Sequence, residues 1–441
     1  MSSAFRSFRF ANYRLWFAGA TVSNIGTWMQ RTAQDWIVLT QLSDDDATAL
    51  GVTMALQFAP QLLLVPVTGL IADRVDRRKL MLATQSFMGI LGLALGVLTL
   101  TGAVQLWMVW GFALLLGIGS AFDAPVRQSF VSELVPAPFL SNAVGLNATS
   151  FNAARLVGPA VAGLLTAAVG AGWVFLINAV TFAATIAMLL ALREDELSPQ
   201  PRARREPGAI RAGFRYVWRR PDLRVLFVMV FLMGTLGLNF ALFASTMASI
   251  AFHRGAGEFG ILSSAFALGS VVGALLAARR ERPRLRSVVL AAAGFGFALI
   301  AAALMPDYLA FGAVLPLVGL TSITMLNNAN AYVQTTTDPR MRGRVMSLYM
   351  AVLMGGTPLG APLVGWVANT FGPRWGLGIG ALGGLVAAGV AGVWWLRRNE
   401  VHLRWDRGRR WRVALDAAPL PRRAALATTE LAITEAQAAR G

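Results

Sequence analysis

The 441-residue sequence predicts an all-α membrane protein with twelve transmembrane helices, grouped as two six-helix bundles related by pseudo-two-fold symmetry. Three observations predict it. Hydrophobic residues make up 56% of the chain and charged residues 14%, where soluble domains carry about a quarter charged. The apolar content is divided into runs of roughly twenty residues, the length a helix needs to cross ~30 Å of hydrocarbon. The bases, 38 arginines and one lysine, gather in every second connection between those runs.

The runs place spans at 14–41, 50–72, 79–101, 104–124, 142–168 and 172–192 in the first half. In the second half they fall at 223–250, 257–278, 287–305, 308–331, 344–370 and 375–396. Each is hydrophobic all round rather than along one stripe, as a helix within a bilayer must be. With the N-terminus in the cytoplasm, 35 of the 39 bases fall on the cytoplasmic side. This is the positive-inside pattern, and it places the chain in the plasma (inner) membrane with both termini cytoplasmic. Of the rest, Arg254 and Arg374 fall outside, and Arg31 and Arg155 lie within spans.

Residues 193–222 divide the chain into a bundle over 1–192 and a bundle over 223–398. Within this linker, Ile210, Phe214, Val217 and Trp218 recur at helical spacing between arginines, which predicts a short amphipathic helix on the inner leaflet. The halves read as weak parallel repeats. A shift of 202 residues aligns Gly158 with Gly360 and Gly163 with Gly365, and Pro159 is answered by Pro358 and Pro362. Matched Gly/Pro-interrupted helices are the expected trace of such repeats. Residues 399–441 form a basic tail, in which arginines interleaved with Trp405 and Trp411 suit anionic lipid headgroups. A net charge of +17 would suggest nucleic acid in a soluble protein, but positive-inside topology accounts for most of it and no nucleic-acid partner is expected.

Between the second and third spans stands Gly69-Leu-Ile-Ala-Asp73-Arg74-Val-Asp76-Arg77-Arg78-Lys79, six charges in one tight turn. Charge that dense is costly in hydrocarbon and belongs at a membrane surface. The spacing resembles the signature loop between helices 2 and 3 of major facilitator superfamily transporters. The stretch Gly26 to Trp36 resembles helix 1 of the branch containing the enterobactin exporter and macrolide efflux proteins, and Asp123-Ala-Pro-Val-Arg127-Gln resembles the loop after helix 4 in the same branch. Arg155-Leu-Val-Gly158-Pro159-Ala-Val-Ala-Gly163 is similar, more loosely, to the helix 5 motif of superfamily exporters, with fewer glycines.

The resemblance implies a rocking fold with spans 1, 4, 7 and 10 around a central cavity. It implies a conformational latch at the inner face built from Gly69, Asp73, Arg74, Arg77, Arg78, Asp123 and Arg127, with Asp73 meeting Arg127 and the start of span 11. Asp76 departs from the family pattern, where glycine is usual, and would pair locally or tighten the turn. Gly158, Pro159 and Gly163 would act as a helix-5 hinge, though small residues also serve plain helix packing. Gln30 and Gln34 would face substrate, or else hydrogen-bond between helices. Asn239 on span 7, and Asn327 and Asn330 on span 10, would line the cavity among phenylalanines, a lining suited to bulky amphipathic molecules.

Asp35 is the sole acid well inside a predicted span, and a central aspartate costs about 2.5–3.5 kcal/mol on insertion scales. It lies four residues after Arg31, on the same helix face. The two either neutralise each other or form a proton-coupling site together with Arg155. Enzyme motifs are absent. The single lysine follows Arg78, so no phosphate-binding G-x-x-x-x-G-K-[ST] loop exists. His253 and His402 fall on opposite sides of the membrane, and the chain has no cysteine, so no metal site or cofactor is expected. No cleavable signal peptide is expected. The expected partners are a small-molecule substrate, protons and membrane lipids, with the chain acting as a monomer. The function expected from all this is proton-coupled efflux of a hydrophobic or amphipathic small molecule such as a drug, macrolide or siderophore. An importer of the same fold, or a non-transporting scaffold or sensor, are the alternatives.

Overall fold

The computed structural model describes residues 3–64, 67–68, 71, 74–197, 209–278, 284–398, 402–405 and 413–416. The first half contains α1 (Ala11–Ile37), α2 (Ala47–Leu63), α3 (Arg77–Leu100), α4 (Leu106–Leu134), α5 (Ala137–Val169) and α6 (Ala171–Leu190). A surface helix, α7 (Ala209–Arg219), precedes the second half. That half contains α8 (Pro221–Leu232), α9 (Phe240–Thr246), α10 (Ala256–Ala278), α11 (Leu285–Leu304), α12 (Tyr308–Thr336), α13 (Arg342–Phe371) and α14 (Pro373–Arg398). Among the described residues, ten stretches are long and apolar enough to cross a membrane, with α8 and α9 counted together as Pro221–Ala251. α1 and α2 stand where the other two of the twelve expected spans fall. α1 is longer than a span requires but diluted by Asn24, Gln30, Arg31, Gln34 and Asp35, and α2 has 17 described residues.

Helix starts follow local chemistry. Asp46, Asp76 and Asp307 cap α2, α3 and α12, each carboxylate accepting from backbone N–H groups of the first turn. Asp76, out of pattern in the sequence, therefore does a helix cap's work through the Lys79 N–H at 2.8 Å. The largest correction to the predicted ends concerns span 4. α4 runs on to Leu134 and α5 begins at Ala137, because Asp123, Arg127 and Glu133 are satisfied by neighbouring helices and need no exit from the helix.

Contacts divide the chain into two units, Met1–Ala388 and Gly389–Gly441. The second unit holds the end of α14 and a two-stranded antiparallel hairpin, β1 (His402–Trp405) with β2 (Val413–Asp416), His402 opposite Asp416. The alanine-rich end after Pro421 lies outside the described residues.

In the first unit the repeat register read from sequence reappears as matched contacts. Gly158 of α5 meets Trp28 of α1, and Gly360 of α13 meets Thr235, just beyond α8. Gly163 of α5 packs on the Gly260 backbone of α10, and Gly365 of α13 packs on Ala47 and Gly51 of α2. Each matched pair thus places one glycine against span 1 or 7 of its own bundle and the other across the boundary between bundles. A missing side chain allows the backbones to approach closely, the usual packing device of membrane helices. α5 passes through Pro159 as one continuous helix, so the hinge expected there is not a break in this state.

The two ends of the bundles differ. One, the basic end, carries Arg77, Arg78, Arg220 and Arg342. The other carries Asp44, Asp45, Asp46, Arg254 and Asp307. Hydrogen bonds and ring contacts between described residues of the two bundles lie at the second end. Asp45 accepts from the Ser249 hydroxyl at 2.6 Å, and Trp36 stacks on Phe259 with centroids 5.3 Å apart. Nearer the basic end, Asn152 of α5 and Asn327 and Gln334 of α12 are exposed on spanning helices. Exposed amides are costly against lipid, so Asn152 and Asn327 belong against a polar gap rather than hydrocarbon. Among the described residues, the bundles are tied together at the acidic end and parted toward the basic one.

Candidate functional site

A charged network rivets the first bundle near its basic end. Asp123 of α4 accepts from Arg127 one turn later, at 2.9 and 2.8 Å, and from Thr84 and Gln85 of α3 at 3.0 and 2.7 Å. Arg127 also donates to the Ala20 carbonyl, Asn24 and Ser23 of α1. Every nitrogen of its guanidinium is engaged within its own bundle. The latch expected from sequence pairs Arg127 with Asp73, a contact that lies outside the described residues. Gly69 and Asp73 lie outside the described residues. Of the remaining latch residues, Arg77 pairs with Glu133 of α4, and Arg78 pairs with Glu194 while donating to the Leu189 and Leu190 carbonyls that end α6. Arg74 is exposed.

The rivet makes a stability prediction. Asp123→Ala leaves a buried, unpaired guanidinium and should cost about 3–5 kcal/mol, whereas the double variant Asp123→Ala/Arg127→Ala should cost much less. Thermal unfolding of the purified proteins in one detergent checks the order.

A second cluster lies further along α1, toward the closed end. Asp35 is buried and its carboxylate accepts from Gln57 Nε2 of α2 at 2.9 Å, the one hydrogen bond of that side chain among the described residues. Arg31 forms no ion pair with it within 4 Å, so the two charges attract each other only at longer range. Its guanidinium instead donates to Ser120 of α4 at 3.1 Å and lies over the rings of Trp28 and Phe58, 5.5 and 4.7 Å from their centroids. Its Nε is buried with no partner. Trp28 also contacts Phe58 of α2 and Phe151 of α5, at 6.4 and 6.3 Å between centroids. The result is an aromatic wall shared by α1, α2 and α5, with Asp35 two turns along α1 from Trp28 and Arg155 one turn along α5 from Phe151.

The glutamines turn elsewhere. Gln30 accepts from Asn178 of α6 at 2.6 Å, and Gln34 donates to the Val109 carbonyl of α4 at 3.0 Å. Both are buried, so they tie helices together in this state and present nothing to the gap. Asn239 is also buried. It stands at a break in span 7 between a widened turn at Met233–Gly237 and α9, and its Nδ2 donates to the freed Thr235 carbonyl at 2.8 Å. Its Oδ1 and the Thr235 hydroxyl have no partner, the kind of locally unwound element found at functional sites. Asn327 is exposed, and Asn330, half-buried, accepts from Gln334. Sequence reasoning did not identify Gln57, Phe58, Ser120 or Phe151. Only the costly charges at Arg31 and Asp35 signalled that partners had to exist.

Two bundles closed at one end and parted at the other, with charged groups buried behind the closure, are the arrangement of a major facilitator transporter. Solved structures share the fold. A bacterial homologue of the human lysosomal transporter Spinster, inward-facing and unoccupied, superimposes with a TM-score of 0.67 over 90% of this chain and 99% of its own, at 15% identity. A POT family transporter in complex with 5-aminolevulinic acid gives a TM-score of 0.70 over 87% and 96%, at 12% identity. Residues 2–416 match the family described as transmembrane secretion effector, and the chain belongs to that family within the major facilitator superfamily. The Staphyloferrin A transporter of Staphylococcus aureus is 26% identical over 81% of this chain and 90% of its own length. Enterobactin exporter EntS of Shigella flexneri is 29% identical over 74% and 78%. The chain is a multi-pass membrane transporter and not an enzyme.

Proposed function

We propose that this transporter is a proton-coupled exporter that moves amphipathic small molecules, siderophores among them, out of the cytoplasm by alternating access. The family's description and the enterobactin exporter relative support the direction, and the Staphyloferrin A and enterobactin relatives support the substrate class. The distribution of arginines supports the orientation, with the basic end and both termini in the cytoplasm. The molecule is then drawn open to the cytoplasm and sealed to the outside, ready to load.

The observation that carries the coupling is the position of Asp35. It sits directly before Trp36, whose ring forms the outer seam with Phe259, and it is held by Gln57 on α2, the helix that meets α13 at the same end. Opening that seam would bring water and outside protons to the carboxylate. Closing it would return the carboxylate to a buried site beside Arg31, facing the inner cavity. A proton taken up outside and released inside is the exchange that drives outward transport.

Everted membrane vesicles with an acid interior test this reading. Adding a transported siderophore or amphipathic drug should dissipate the pH gradient and load the vesicles with the compound. Accumulation confined to right-side-out vesicles under an inward proton gradient would reverse the direction and refute the exporter.

A further inference from the structure

The charges buried in the helical layers do not balance. Arg127 is matched by Asp123, and Asp35 lies one turn from Arg31. Arg155 has no such counterpart. It is half-buried in the middle of α5, and among the described residues it makes no hydrogen bond, ion pair or ring contact and has no acidic side chain near it. A guanidinium presents five N–H donors in a planar fork and keeps its charge. Within a membrane span such a group pairs with something or faces a water-filled cavity where something can pair with it.

Its surroundings indicate what that partner would be. Phe151 precedes Arg155 by one helical turn and Gly158 follows by slightly less, so the three share a face of α5. Phe151 and Gly158 both meet Trp28, which fixes that face toward α1 and the aromatic wall. Phe151 is 46% exposed and Asn152 beside it is exposed, so the wall opens into the gap. The Asn152 amide is turned back to the Ala148 carbonyl at 2.8 Å and does not compete for the guanidinium. The wall thus offers the open ring of Phe151 beside Trp28 and Phe58, over which Arg31 already lies, and in Arg155 a second cation that has no partner among the described residues.

We propose that Arg155 is the counter-charge for an acidic group of the substrate, so that this transporter selects organic anions with a flat apolar body over their neutral or cationic analogues. The proposal deepens the transport reading above and rests on spans 1, 2 and 5 lining the substrate path. Arg155 then acts in recognition, alongside the Asp35 proton site and separate from it.

Titration calorimetry on the full chain in phosphatidylcholine nanodiscs tests this with three probes of one shape: 1-naphthoate, 1-naphthamide and 1-naphthylmethylammonium. The naphthoate should bind about tenfold more tightly than the amide, the margin of a charge-assisted over a neutral hydrogen bond. Arg155→Gln should lower naphthoate affinity to that of the amide and leave the amide unchanged, while Arg155→Lys keeps much of the preference. The lysine variant also guards against a folding defect. Absent naphthoate binding, equal affinity for carboxylate and amide, a preference for the ammonium, or a preference surviving in Arg155→Gln would each overturn the proposal. So would loss of the preference in discs containing phosphatidylglycerol, which would make Arg155 a headgroup site. Transport direction does not enter the titration. A chain that imports leaves this result intact, and a chain without anion preference leaves the exporter reading intact.

Discussion

Gly163→Leu is expected to unseal the outer face and to reduce transport by about fivefold or more while leaving each bundle folded. A Cβ at Gly163 would run into the Gly260 backbone across the boundary between bundles, with no flexible side-chain end to move aside. Overpacking of this kind costs typically about 1–3 kcal/mol, and because the contact exists only in the closed state, the whole cost falls on that state. A bias of that size moves a two-state balance by about 5–150-fold. The chain contains no cysteine, so a single cysteine introduced at Phe259, now 1% exposed behind Trp36, reports the state directly. Its reaction with a membrane-impermeant maleimide from outside should rise sharply in Gly163→Leu. Gly360→Leu supplies the contrast, since it clashes with the Thr235 backbone inside one bundle and should lower the unfolding temperature without raising labelling. Equal labelling in Gly163→Leu and the parent would show that this crossing does not hold the seam.

The reason these glycines could be paired from sequence alone is physical. A duplicated bundle repeats its close approaches, and a close approach between membrane helices demands a small residue at one register. Span positions were equally legible, because hydrocarbon thickness and helical rise together fix a run length. The buried charges at Arg31 and Asp35 stood out because an apolar run has no cheap way to hold them. What could not be read was direction around a helix. Gln30 and Gln34 looked like cavity residues on span 1, yet their partners, Asn178 and the Val109 carbonyl, come from spans 6 and 4, and only packing decides which neighbour an amide meets. Asp123 and Arg127 stood out as charges at the end of span 4, but nothing in the spacing tells that Thr84, Gln85, Asn24 and Ala20 supply their partners. The break in span 7 left no trace because a widened turn changes hydrogen bonding without changing hydropathy.

Asp35→Asn is expected to abolish proton-driven transport while sparing exchange of substrate for substrate. The amide has the shape of the protonated acid and can still meet Gln57, so the helix contacts at 2.9 Å need little adjustment. It cannot lose a proton, so the step in which the carboxylate charges toward the inner cavity no longer exists. Proton-coupled efflux in everted vesicles should fall to the background of empty vesicles. Counterflow, in which unlabelled substrate inside draws labelled substrate across at equal pH, requires only that loaded bundles rock, and should stay within about threefold of the parent because the rocking barrier itself is set by interfaces such as the seam. Gln57→Leu separates position from chemistry. It removes the one hydrogen bond that holds the Asp35 side chain and leaves the carboxylate able to titrate, so it should weaken the coupled reaction and shift its pH dependence without abolishing it. If counterflow collapses together with proton-driven transport in Asp35→Asn, the residue is part of the packing of α1 against α2, and the coupling site must be sought elsewhere.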